Sequence, residues 1–152
     1  MIVSIDVEDE AWRQVKELEG LAERSAKAAM RFLEAGDDAE VNVLFTSDEE
    51  ARRVNKAWRE RDYAPNVLSF PAAPIPGQEA HPLGDIVLAS GVVAREANEQ
   101  GKPLDAHVAH LLVHGVLHLG GHDHMNDREA ARMESAEIEI LKGMGFADPY
   151  TI

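Results

Sequence analysis

The stretch VHGVLHLGGHDH, residues 113–124, holds four of the chain's seven histidines. Neutral imidazoles gathered at helical spacing read as metal ligands, because each ring offers a nitrogen lone pair to a cation such as zinc. Residues four apart on a helix lie about 6 Å apart along the axis and nearly one above the other, so His114 and His118 can turn onto one ion. A ligand eight residues on would be about 12 Å away along the axis, too far to share it. The third ligand must therefore come from chain that has left the helix. Gly120-Gly121 supplies the exit, since glycine takes positive φ readily and commonly ends helices. His122 and His124 both follow, and spacing alone does not choose between them. The chain has no cysteine, so histidine and carboxylate must hold the metal. A three-histidine set leaves one coordination position open for water or substrate.

With His124 as the third member the spacing is H-x-x-x-H-x-x-G-x-x-H, with Gly121 in the turn. It is similar to the ligand spacing of the metzincin zinc proteases. Those enzymes carry a glutamate base directly after the first histidine; this chain has Gly115 there. The metal scaffold is present and the peptide-cleaving base is absent.

The helix that must position these rings runs from Asp105 to about Leu119. It is apolar nearly all round, interrupted only by His107, His110, His114 and His118, which fall within an arc of about 80°. His107 and His110 are expected either to support the ligands from behind or to be structural residues. Alternation in IVSIDV predicts a strand with Val3, Ile5 and Val7 on one side. Apolar spacing through Val15, Leu18, Ala22, Ala29, Phe32 and Leu33 predicts one helix from about Ala11 to Ala35, stopped by Gly36. EVNVLFT is a second strand, and Ser47-x-x-Glu50 is a capping box opening a helix that runs to about Arg61. NVLSF (66–70) and DIVLA (85–89) are further strands, the latter apolar enough to be central, with a proline-rich loop, PAAPIPGQEAHP, between them. Ser90 is expected to cap a helix ending at Gly101, and Asn126-x-x-Glu129 to open the last helix. The expected fold is α+β, one domain over residues 1–152. A mixed sheet of about four strands packs against helices, with the metal at the C-terminal end of the histidine helix.

Composition narrows the class of partner. Hydrophobic residues make up 45% and charged residues 28% of the 152, as in a folded globular protein. The amino-terminal MIVSIDVEDEAW lacks the features of a secretion signal. The uncharged run Ala106–His122 is too short and too rich in histidine for a membrane span. A cytoplasmic protein without a membrane partner is expected. The net charge of −13 argues against broad affinity for nucleic acid. Yet RRVNKAWRER (52–61) carries five basic side chains against one acidic, a patch able to grip a phosphate chain locally or simply to form a solvated helix face.

HGVLHLGGHDH resembles the H-G-x-L-H-L-x-G-Y-D-H signature of the YbeY family of bacterial metal-dependent endoribonucleases. The likeness extends to VNKAWRERDYAPNVLSFP, LGDIVLAS and the closing GFADPY. The resemblance implies one zinc per chain on His114, His118 and His124. It places the family's arginine on Arg59, counted from Asn55; a guanidinium that stays protonated and donates two parallel hydrogen bonds suits the scissile phosphate, the role expected of it here. It further implies single-strand-specific cleavage in 3′-end maturation of small-subunit (16S) ribosomal RNA and in ribosome quality control. The small subunit or a protein associated with it would be the partner. Two positions depart from the family: its tyrosine is His122 here, and its T-D before V-L-S-F is Pro65-Asn66. Asp123 and Asp85 are the candidate general bases. The alternatives are a ribosome-assembly factor whose zinc is mainly structural and, behind it, a metallohydrolase of small phosphoesters or amides.

Overall fold

Residues 1–73, 82–123 and 125–151 are described in a computed structural model of the chain. His124, Ile152 and residues 74–81 of the proline-rich loop lie outside the described residues. The alternating residues of the first segment form β1 (Ile2–Val7), which runs parallel to β2 (Glu40–Thr46) with Val3 opposite Val41. β2 in turn lies parallel to β4 (Pro82–Ala89), Val43 opposite Ile86. The short β3 (Val67–Pro71) pairs antiparallel with β4, placing Ser69 opposite Ile86. The sheet is thus mixed and four-stranded, in the order β1-β2-β4-β3. The apolar β4 is interior, as its composition predicts, and β3 forms one edge.

Among the described residues five α-helices accompany the sheet: α1 (Leu18–Phe32), α2 (Asp48–Arg59), α3 (Ser90–Gln100), α4 (Leu104–Leu119) and α5 (Asp127–Gly143). The main core lies between one sheet face, which contributes Val41, Val43, Phe45, Ile86 and Leu88, and helices α1, α4 and α5. A smaller cluster of Ala51, Val87 and Ala89 joins α2 to the opposite face. α4 packs against α1, α3, α5, β3 and β4, which is why it is apolar on every side. Val108, Leu112, Val113, Val116 and Leu117 are all fully buried. Each such side chain stabilises the fold by about 1.5–3 kcal/mol, so tertiary packing, more than helix propensity, holds α4 in place. Among the described residues no helix is long and apolar enough to cross a membrane.

Three expectations are corrected. The single helix over Ala11–Ala35 is a 3-10 helix, Glu10–Gln14, followed by α1. Trp12 causes the break. Its indole is buried edge-on against Phe45, with ring centroids 4.9 Å apart. Its Nε1 donates to the Thr46 carbonyl at 2.9 Å. Val15 is then extended and Glu17 takes the left-handed region at φ 52°, redirecting the chain into α1. Apolar spacing cannot reveal this, because Val15 and Leu18 are both buried on either side of the break. Second, α1 ends at Phe32 and Glu34 takes the positive φ, ahead of Gly36. Third, Ser90 is the first residue of α3 instead of its cap, and its hydroxyl donates to Asp9 at 2.6 Å. The capping expectations at Ser47 and Asn126 hold: each side chain accepts from the backbone N–H three residues on, Glu50 and Glu129 respectively.

Candidate active site

α4 ends in a hydrogen-bonded turn that explains the paired glycines. Gly121 N–H donates to the His118 carbonyl at 3.0 Å and His122 N–H to the Leu117 carbonyl at 3.0 Å, which satisfies carbonyls left over at the helix end. Gly121 holds φ at 95°, a conformation that favours a residue without Cβ. The chain then turns back, and His122 and Asp123 line the same cavity as His114 and His118. That cavity measures about 590 Å³. Its other wall is made by Arg59, Arg61, Tyr63 and Asn66 after and at the end of α2, and by Val67–Ser69 of β3.

His114 and His118 stand side by side, ring centroids 4.7 Å apart and planes at 78°. His114 Nδ1 lies 2.7 Å from Glu137 Oε1 of α5. Glu137 is completely buried. Burial pushes its carboxyl upward, but hydrogen bonds from His110, His114 and Tyr150 outweigh that and bring it down to about 2. The carboxylate is therefore ionised at neutral pH and can only accept. At 2.7 Å the carboxylate oxygen accepts a hydrogen bond from His114 Nδ1, which leaves Nε2 as the ring nitrogen able to meet an ion. Two adjacent imidazoles, one with its tautomer set by a buried carboxylate, are a donor set suited to zinc. Among the described residues no three His, Asp or Glu side chains gather closely enough to hold an ion. The third expected ligand, His124, lies outside them. His122, the alternative third ligand, stands beside Phe32 with ring centroids 6.5 Å apart.

Arg59 closes the opposite side. It is the last residue of α2, its guanidinium lies 5.1 Å from the centre of the Phe70 ring, and Nη2 donates to the Ser69 carbonyl at 2.6 Å. It thus reaches the cavity across the edge strand β3. The five cations of residues 52–61 divide in two. Arg52 and Lys56 pair with Asp62, and Arg53 pairs with Glu50. Arg59 and Arg61 have no carboxylate partner among the described residues, and both line the cavity. Asn55 fixes this wall from beneath: its buried amide donates to the Tyr63 carbonyl at 2.9 Å.

The remaining candidates separate. Asp123 lies on the cavity wall, whereas Asp85 does not. Strand alternation puts Asp85 on the α2 face of β4, opposite the Ile86 face that receives α4, and it accepts from Asn42 at 2.9 Å. Gly115 also has a structural explanation. A Cβ there would meet Ile86 Cδ1 at 3.1 Å and Ser69 Oγ at 3.2 Å, so this position backs onto the sheet, away from the histidine pair. Asn66, where the family signature has aspartate, donates its amide to both Glu96 oxygens at 3.0 and 3.3 Å. Glu96 also meets His107 Nε2 at 3.0 Å. His107 thus meets Glu96, whereas His110 meets Glu137 and Tyr150. Glu137 and Tyr150 were not singled out by spacing. The available signal was a glutamate on the stripe of α5 that otherwise buries Met133, Ala136, Ile140 and Leu141.

Comparison with known proteins gives one consistent result. A sequence model of the family described as Endoribonuclease YbeY matches residues 4–145. A protein named Endoribonuclease YbeY from Rhizobium meliloti is 47% identical over 157 residues, covering 97% of this chain and 94% of its own. Its namesake from Azorhizobium caulinodans is 43% identical over 155 residues, covering 100% and 98%. A Cellvibrio japonicus protein of the same name reaches 54% over a shorter match, 75% of this chain and 64% of its own. A solution structure of a Thermotoga maritima protein shares the fold at a TM-score of 0.58 and 22% identity, over 99% of both chains.

Proposed function

The chain belongs to the YbeY endoribonuclease family, and on that premise we propose that it is a zinc-dependent endoribonuclease cutting single-stranded ribosomal RNA. Its task would be 3′-end maturation of the small-subunit RNA in the cytoplasm. The observation that carries this reading is the meeting of two unlike sets of groups in one cleft. His114 and His118 stand on one wall, and Arg59 and Arg61, without carboxylate partners among the described residues, stand on the other.

His114, His118 and His124 would hold the ion. Zinc, when bound, supplies Lewis acidity toward a phosphoryl oxygen or an attacking water. Arg59 donates to the Ser69 carbonyl with one nitrogen and retains further N–H donors for a phosphate. Placed over the Phe70 ring, the guanidinium is held at the cleft edge. Negative charge accumulates on the phosphoryl oxygens during cleavage, and a permanently protonated side chain stabilises it. Asp123 is the carboxylate in this cleft suited to accept a proton or to orient an imidazole; Asp85, on the other sheet face, is not.

The net charge of −13 limits binding to this local cleft. Affinity for bare RNA should be weak and salt-dependent, with the small ribosomal subunit or a protein on it supplying the remaining contacts. The test is cleavage of a single-stranded ribosomal RNA fragment by wild type, His118→Ala and Arg59→Ala purified identically, with zinc content measured on each. Cleavage lost in both variants, with zinc lost only in the first, is the expected result. Equal cleavage in all three would overturn the reading, as would zinc-loaded wild type that cuts neither free RNA nor RNA within the subunit.

A further inference from the structure

The buried Glu137 joins one metal-ligand candidate, His114, to two further side chains, His110 and Tyr150. The carboxylate sits at zero exposure on α5, in a position that helical spacing reserves for an apolar side chain. His114 Nδ1 donates to Oε1, and the Tyr150 hydroxyl donates to Oε2. His110 Nε2 lies 3.4 Å from Oε2 and 3.2 Å from the Tyr150 oxygen. The tyrosine ring stands edge-on to the His110 ring, centroids 5.3 Å apart. A buried carboxylate with no lysine or arginine paired to it among the described residues is costly unless its lone pairs are filled. Here they are filled by three side chains, two of them from the histidine helix and one from the segment after α5.

A contact made only to tie α5 to α4 would be served as well by two apolar side chains, since replacing a buried polar pair by well-packed apolar groups is often neutral or stabilising. The polar arrangement instead fixes one property that packing cannot, the tautomer and tilt of His114. Tyr150 and His110 fix the carboxylate in turn, so the order of control runs from Tyr150 through Glu137 to His114.

We propose that Glu137, held by Tyr150 and His110, is the positioning residue of the metal site, keeping the proton of His114 on Nδ1 and so presenting Nε2 to the ion. This rests on the assignment of His114 as a zinc ligand. Neither the histidine signature nor the ligand spacing contains Glu137, and Tyr150, which ends the segment GFADPY, enters from beyond α5.

The test uses the full chain, zinc alone as the probe, and Glu137→Gln, Glu137→Leu, Tyr150→Phe and His114→Ala. Zinc affinity is measured by competition with a chelator. The His114 tautomer is read from ¹⁵N shifts of the zinc-free protein, and the fold is checked by far-ultraviolet circular dichroism. Glutamine keeps an acceptor and should lose less than leucine, which should bind zinc about 10–100-fold more weakly. Leucine should also release the His114 proton to Nε2 in part of the population. Tyr150→Phe keeps the carboxylate and should weaken zinc several-fold, so it decides the matter if the Glu137 variants fail to fold. If zinc affinity and tautomer are unchanged in folded Glu137→Leu, or in Tyr150→Phe where that variant must decide, Glu137 is only structural and the proposal fails. If His114→Ala binds zinc as wild type does, the assignment of the ligand itself is wrong, and the proposal falls with it.

Discussion

Replacing Gly121 and Gly143 by alanine should move stability in opposite directions, although neither new methyl group meets another atom. A Cβ at either position has no heavy atom within 4 Å, so packing drops out of the comparison and the backbone remains. Gly121 holds φ at 95° in the turn that ends α4, where an L-residue with a Cβ is strained by about 1–2 kcal/mol. Gly143 is the last residue of α5 with no positive φ, and alanine there removes chain entropy from the unfolded state, a gain of up to about 1 kcal/mol. For a chain of this length, 1 kcal/mol shifts Tm by about 2–4 °C. Gly121→Ala should therefore lower Tm by about 2–8 °C and Gly143→Ala raise it by up to about 4 °C. Asparagine at 121 should fall between glycine and alanine, since it tolerates positive φ better. Urea melts in the presence of a chelator measure this backbone cost without metal. Repeating them with zinc adds a second expectation, that Gly121→Ala gains less stability from the ion, because its turn leads directly to His122 and His124. Equal Tm values for the two alanine variants in chelator would refute the argument, since the one difference invoked between the sites is φ.

Asn55→Ala should cost about 1–3 kcal/mol, because it leaves the Tyr63 carbonyl without its buried donor; a kinetic assay should also show weaker RNA binding through the displaced Arg61, and an unchanged urea midpoint would contradict it. Stability should depend on pH through His107, whose ring burial holds below its ordinary value of 6.5 despite Glu96 beside it, with His110 and Lys102 lowering it slightly further. The unfolded chain then takes up the proton first, so this contribution is present above about pH 6.5 and is lost as pH falls toward the folded-state value. His107→Gln should flatten that part of a stability-against-pH curve, and superimposable curves would exclude the role.

The elements that align with a periodic pattern were readable from sequence, and those decided by one distant contact were not. β1 and β2 declare themselves by alternation, and the starts of α2 and α5 by Ser47 and Asn126, whose caps act within four residues. The break before α1 depends on Trp12 reaching Phe45 and Thr46 in another strand, which no local pattern records. The candidate site divides the same way. His114 and His118 are legible because four residues on a helix is a distance, and Arg59 is legible through the family segment that contains it. Composition could not tell which of the clustered cations reach the cleft, since that depends on where Asp62 and Glu50 fall. Asp85 was excluded only when the structure showed which face of β4 receives α4. Glu137 was hidden in a helix rich in exposed glutamates.

Synthesis runs from the amino end, and this dictates when each wall of the cleft comes into being. Arg59 and Arg61 emerge first, His114 and His118 follow with α4, and Glu137 arrives only with α5. Tyr150, whose hydroxyl fills Oε2 of that carboxylate, comes after α5 has been made. A nascent chain that has not yet released Tyr150 therefore carries the arginines and histidines of the cleft without the complete hydrogen-bonding shell behind His114.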